Sequence, residues 1–305
     1  EVIELDDLRR VLTNPPREYL ARTLGVRLPR ASGGGSGTDD LAVALAGLDR
    51  WEVAQRLIAE RRRGVERQWG ERREHAAGTL PPGAIGHGVA SALHDEVDGL
   101  IDAARELGAG TGRRAEIELD VDLGEGARLR GWVEAWPGPV TVTYSRLSPK
   151  LRLAAWLDLL ALTLTDPEPS WRAVVVGRKA TTNSPDAVAL QIAGEDPTAR
   201  AGVARAALAV AVDCYRRALA EPVPLFEQIS WLLHRGKATA ADWTSSFSPR
   251  DGDQPAVALL FGDLGFDELC RLEVRDHDPA GEATDRAHRF AAYLWGAFDR
   301  SVVSP

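Results

Sequence analysis

The sequence predicts an α/β (α+β) fold in which a mixed sheet is flanked by helices, its elements following one another as α-β-β-β-α-β. Three observations carry this. A long stretch of helical period, from about Ile85 to Leu107 with Leu93, Val97, Leu100 and Ile101 at helical spacing, gives way to two-residue alternation. The alternation runs through Ala115 to Leu123, Ala127 to Trp136 and Val140 to Ser145, three strands joined as a meander by Gly124-Glu125-Gly126 and Pro137-Gly138-Pro139. A helix starting at Ser148-Pro149 and reaching about Leu164 then leads into Trp171 to Val176, a continuous apolar run of the kind buried inside a sheet. With 305 residues, 44% of them hydrophobic, the chain is long enough to bury a large core.

The remaining elements follow the same signals. Asp6 to Leu12 and Pro15 to Leu24 read as two short helices, with Asn14 as N-cap and Pro15 at the first helical position of the second. The Gly/Ser run at 32–37 has no side chain able to pack, so it reads as a flexible linker, a spacer in place of a longer loop. Leu48 to Glu74 is helical in pattern, with a break expected at Gly64. Leu80-Pro81-Pro82-Gly83 is a turn before the long helix. After the apolar strand come a further strand, Ala187 to Ile192, and helices over Thr198 to Ala220, Leu225 to His234, Phe266 to Leu272 and Ala283 to Phe298. This divides the chain into an N-terminal helical segment, 1–80, and a larger α/β part, 81–305.

Composition excludes several classes. A chain 27% charged and 44% hydrophobic with 2 Cys is neither disordered nor a disulfide scaffold, and Cys214 and Cys270 sit in helical patterns as buried thiols. No apolar run is long enough to cross a bilayer and no signal peptide opens the sequence, so a cytoplasmic location is expected. Lysine occurs only at Lys150, Lys179 and Lys237, and the arginine bias points to a GC-rich, actinobacterial-type genome. The absence of methionine suggests a piece of a longer protein. A net charge of −8 argues against nucleic-acid binding by the whole surface, though not by a local patch. There is no phosphate-binding Gly-Lys-Ser/Thr loop and no Gly-x-Ser-x-Gly elbow, and His234, His277 and His288 lack neighbouring ligands at metal spacing. No metal site and no cofactor are expected.

Candidate contacts are few. Arg61, Arg62, Arg63 and Arg67 with Trp69 form the densest basic stretch, able to meet phosphates while the indole stacks on a base, although Glu60, Glu66, Glu71 and Glu74 are interleaved and favour ion pairs on a solvated helix. Arg178 and Lys179, at the end of the interior strand, are a second candidate. Glu116, Glu118, Asp120 and Asp122 share one strand face, best explained as the solvated side of an edge strand. Trp132, Trp136, Trp156 and Trp171 are expected to serve packing.

The α-β-β-β-α-β order is the common core of the PD-(D/E)XK nucleases, and a set of short words narrows the comparison. Asn14-Pro15-Pro16-Arg17-Glu18-Tyr19-Leu20, Leu80-Pro81-Pro82-Gly83-Ala84-Ile85-Gly86, Gly131-Trp132-Val133-Glu134, Val142-Thr143-Tyr144-Ser145 and Trp156-Leu157-Asp158-Leu159-Leu160 occur in that sequence. Together they resemble the C-terminal region of the exodeoxyribonuclease V gamma subunits, RecC, from about residue 8 to the end. More distantly the same positions resemble the nuclease domain of RecB.

That second resemblance permits a residue-by-residue test. It puts a metal-binding carboxylate at Glu134, which is retained. The following strand should end in Asp-Tyr-Lys, and here Thr143-Tyr144-Ser145 offers neither carboxylate nor amine. The histidine ligand of the long helix falls at Ser91, between His87 and His94, and the glutamine of the next helix falls at Ala154. The resemblance therefore implies a restriction-endonuclease-like fold that has lost its catalyst and is no enzyme on its own. It further implies membership of the ATP-dependent RecBCD helicase-nuclease of double-strand break repair and recombination, with RecB and RecD as partners and double-stranded ends and separated strands as the DNA. The alternatives are an active metal-dependent nuclease and a protein-interaction scaffold that touches no DNA.

Overall fold

The computed structural model describes residues 1–29, 47–109, 114–136, 138–246 and 250–303. The Gly/Ser run at 32–37 and Pro137 of the expected turn lie outside the described residues.

A short strand missing from the sequence reading, β1 (Val2–Glu4), opens the chain and leads into α1 (Leu5–Thr13) and α2 (Pro15–Arg22). Asn14 caps α2 as expected, its Oδ1 accepting the Arg17 backbone N–H at 3.3 Å. The Leu48 to Glu74 pattern forms α3 (Gly47–Arg62) and α4 (Arg67–Ala76), broken at Gly64. The long helix is α5 (Gly83–Glu106). Strands β2 (Ala115–Gly124) and β3 (Ala127–Ala135) make a hairpin whose two loop residues, Glu125 and Gly126, both have positive φ, 51° and 75°. Turns of that hand match the twist of a hairpin, and glycine supplies the second position without strain. Then follow β4 (Val140–Arg146), α6 (Pro149–Thr165), β5 (Arg172–Arg178), β6 (Pro185–Ile192) and α7 (Pro197–Ala220). The C-terminal part consists of α8 (Ile229–His234), α9 (Ala240–Trp243), α10 (Pro255–Phe261), α11 (Phe266–Leu269), α12 (Arg286–Ser301) and β7 (Val302–Val303).

The strands form two sheets, ordered β1-β3-β2 and β4-β5-β6-β7. The expected three-strand meander is therefore not continuous. Among the described residues β3 is linked to the start of β4 by an isolated bridge, Ala135 to Pro139, beside a Trp136 N–H to Gly138 carbonyl bond of 2.7 Å. Beyond it β4 pairs in parallel with β5, a pairing that requires the α6 crossover, while β6 and β7 run antiparallel.

Successive residues of β5 explain its apolar run. Ala173 and Val175 enter one core with α6, α7, α12 and the β1-β3-β2 sheet; Val174 and Val176 enter another with α3 and α5. α6 is packed on nearly every side, Leu153, Ala155, Trp156, Leu157, Leu159, Leu160, Ala161 and Leu162 all being buried, so its lack of a polar stripe is a consequence of its central place. A small third core gathers Phe226, Trp243, Val257 and Leu269 in the C-terminal part.

Candidate functional site

The end of α3, the C-terminal half of α5 and the parting of β3 from β4 enclose a cleft of about 360 Å³. Ile101, Ala104, Val140 and Val142 make its wall apolar, and Arg61, Arg62, Arg105 and Trp136 rim it. Glu134 lies against this rim. Its Oε1 accepts the Trp136 indole N–H at 2.6 Å and faces Arg62 Nη2 at 3.4 Å, while Arg114 Nη2 approaches Oε2 at 2.8 Å. The Arg62 guanidinium also lies 5.2 Å from the Trp136 ring centroid, within cation–π range. Burial lowers the Arg62 pKa, with Glu134 acting against the shift.

The other positions that resemble a nuclease site serve structure. Thr143 is buried and its Oγ1 accepts the Ser145 N–H at 3.1 Å. Ser145 Oγ in turn accepts the Trp51 indole N–H at 2.9 Å, and Gln55 Oε1 accepts the Tyr144 N–H at 2.7 Å, so α3 lies bonded along β4. Ser91 is exposed on α5, where its carbonyl and hydroxyl accept from Arg67 Nη2 at 2.7 and 3.2 Å. Ala154 on α6 brings no functional atom. Among the described residues no hydrogen bond or ion pair joins Glu134 to Ser91, Thr143 or Ser145. Glu116, the cross-strand neighbour of Glu134 on β2, shares Arg114 with it at 3.4 Å, so the acids here are already neutralised by Arg62 and Arg114 and do not suit a Mg²⁺ ion.

The basic candidates divide into held and free. Arg61 donates to Asp98 at 2.8 Å and Arg67 to Asp95 at 2.9 Å, so the interleaved charges pair α3 and α4 with α5 as well as with each other. Arg178 is likewise engaged: its Nε donates to the Tyr144 carbonyl at 2.6 Å and its guanidinium lies 4.0 Å from the centre of the Tyr144 ring. The Tyr144 hydroxyl belongs to a network with Arg50, Glu96 and Asn183. Burial opposes ionisation of Glu96, yet hydrogen bonds from Tyr144, Asn183 and Arg50 hold its carboxyl below the usual range. Arg63 and Lys179 are exposed and make no ion pair among the described residues. Trp69 is 55% exposed, with the Arg72 guanidinium 5.0 Å from its ring centroid.

Trp132, expected in the core, is instead 59% exposed on the outer face of β3, opposite Glu118 of β2. It stands beside Glu116, Glu118 and Asp120, which are exposed on the edge strand as their spacing suggested. The fold also assembles two groups absent from the sequence reading, Glu71 with His75 and His87, and Glu221 with His277 and Asp278. The i, i+4 spacing of Glu71 and His75 was a readable signal; the third member came from another helix. No helix among the described residues is long and apolar enough to cross a membrane.

A family model described as the RecC C-terminal domain matches residues 1–238. RecBCD enzyme subunit RecC of Mycobacterium tuberculosis (strain ATCC 25618 / H37Rv) is 34% identical over 269 residues, 84% of this chain and 24% of the relative. RecBCD enzyme subunit RecC of Mycolicibacterium smegmatis is 36% identical over 185 residues, 60% of this chain and 17% of the relative. The mycobacterial relatives agree with the arginine-rich composition, and the chain spans about a quarter of the length of the Mycobacterium tuberculosis protein. A match over most of its length to that model and these relatives places the chain in the RecC C-terminal domain family.

Proposed function

We propose that this chain is the non-catalytic C-terminal part of a RecC-type subunit, a degenerate PD-(D/E)XK frame that scaffolds a RecBCD complex and helps guide and split DNA strands in double-strand break repair and recombination. RecB and RecD are its expected partners, since the relatives carry the name RecBCD enzyme subunit. Its working place is the cytoplasm. The observation that carries this reading is Glu134, the one retained acid, tied to Arg62, Arg114 and Trp136 and so removed from metal chemistry. We place the start of the nuclease-like frame at about residue 80, with β1 and α3 of the preceding segment packed onto its sheets.

The DNA-facing residues are Arg61, Arg62, Arg63, Arg67 and Trp69, with Arg178 and Lys179 as a second patch. Arg63, Trp69 and Lys179 offer exposed groups, and the paired arginines shape the surface beside them. Binding of the chain to a labelled forked duplex at low and at physiological salt tests this. Salt-dependent binding that weakens in an Arg62/Arg63/Arg67 triple Ala variant supports strand guidance. Absence of binding at low salt leaves the protein scaffold, a reading favoured by exposed Trp132 on an acidic face in a chain of net charge −8.

A further inference from the structure

The helix α4 is poorly supplied with means to stay in place. It buries only Gly70 and Glu74, so it has no apolar stripe to press on the core, and polar pairs such as Arg56 with Glu74 at 2.8 Å and Arg67 with Asp95 at 2.9 Å hold it. At its C-terminal end Glu71 and His75, one turn apart, face the first turn of α5, where His87 meets them. Glu71 Oε1 lies 2.7 Å from His87 Nδ1 and 3.8 Å from His75 Nε2, and the three ligand atoms are all within 4.8 Å of one another. The two imidazole rings are 4.7 Å apart.

Two features set this group apart from a chance surface cluster. His75 Nε2 is buried and has no hydrogen-bond partner, an unsatisfied atom pointing at the carboxylate from beyond bonding distance. The ring can lie there because residue 86 is glycine: a Cβ on Gly86 would come within 2.9 Å of His75 Cε1 and 1.9 Å of the Pro81 carbonyl oxygen. The Glu221, His277 and Asp278 group differs, since Arg275 and Arg286 already neutralise its acids.

We propose that Glu71, His75 and His87 bind a zinc ion that clips α4 to the start of α5. Two imidazole nitrogens and one carboxylate oxygen suit zinc and its borderline transition-metal neighbours; Mg²⁺ and Ca²⁺ prefer an all-oxygen shell. In a tetrahedral site with bonds of about 2.0–2.2 Å the ligand atoms stand roughly 3.3–3.6 Å apart, against 2.7 and 3.8 Å from Glu71 to the two histidines and no more than 4.8 Å for any pair, so small side-chain shifts complete it. Water takes the fourth position on the exposed His87 side. On binding, the Nδ1 proton of His87 moves to Nε2 and the ion replaces the hydrogen bond to Glu71. The site is separate from Glu134, Thr143 and Ser145 on β3 and β4, and His87 stands one turn before the nuclease-like position Ser91 on α5.

The test is zinc titration of the 305-residue chain by calorimetry, with Co²⁺ absorption as a report on tetrahedral nitrogen and oxygen ligation. One equivalent is expected to bind and to raise the Tm. His87→Ala, on an exposed ring whose loss leaves the fold intact, and Glu71→Gln should each lose about a hundredfold in affinity, while His277→Ala binds as the parent does. Circular dichroism of the metal-free variants separates lost ligation from lost folding. No saturable binding at micromolar zinc, or equal binding by the parent and His87→Ala, overturns the proposal.

Discussion

Arg9 of α1 reaches into the molecule to Asp158 of α6, its Nε 2.5 Å from Oδ1, and this pair ties the N-terminal helices to the central one. Burial pushes the Asp158 pKa up to about 6 although Arg9 pulls it down. A carboxyl raised from 3.8 in the unfolded chain contributes most to stability below 3.8, and that contribution is lost as pH rises through about 6. Urea unfolding across that window should therefore show a component of roughly 2–3 kcal/mol that disappears in Asp158→Asn. An unchanged pH profile in the variant would count against the assignment.

Glu134 should be dispensable for any action on DNA. Linear DNA incubated with the chain and Mg²⁺ or Mn²⁺ is expected to remain whole, and Glu134→Ala to behave identically. Metal-dependent cutting that vanishes in Glu134→Ala would falsify the non-catalytic reading.

Arg286 at the start of α12 is 4% exposed and donates to Asp278, itself fully buried, at 2.9 Å, and to Glu221 at 2.5 Å. Arg286→Ala leaves buried charge uncompensated and should cost about 3–5 kcal/mol, measured as a lower urea midpoint with an unchanged slope. Arg286→Lys should recover little, because an ammonium group cannot span both acids with a planar fork.

Trp69 is the exposed indole beside the basic stretch, and single-stranded DNA should quench its fluorescence. Trp69→Ala should weaken binding by about 1–3 kcal/mol at any salt, whereas the Arg62/Arg63/Arg67 variant should flatten the salt dependence by roughly 2 to 3 in log–log slope. Identical behaviour of the two variants would mean that the surface is used in some other way.

The elements that could be read from sequence were those whose burial is uniform or strictly alternating. Val174 and Val176 alternate with Ala173 and Val175 between two apolar cores, so every residue of the run had to be apolar. β1 and β7 escaped because strands of three and two residues carry no period, and their pairing with β3 and β6 is decided by partners far along the chain. The departure of β4 from the meander was hidden for a related reason: its alternation shows which face is buried but not whether β3 or β5 stands beside it. At the site, Glu134 stood out through its strand word, yet the groups that occupy it, Arg62 and Arg114, are 72 and 20 residues away. Trp132 reads as a core residue because a strand face bearing an indole resembles a core face until its neighbours are known.

The bonding of Gln55 and Trp51 to β4 has a further consequence. Without α3, the backbone of β4 beyond the bridge would present open donors and acceptors to any passing strand, including the same strand of a second molecule. Gln55 of α3 takes the Tyr144 N–H in that row, and Trp51 covers the strand beside it through the Ser145 hydroxyl. A chain stripped of this helix should expose both that strand edge and the apolar face on which Val53, Leu57 and Ile58 pack, and self-associate.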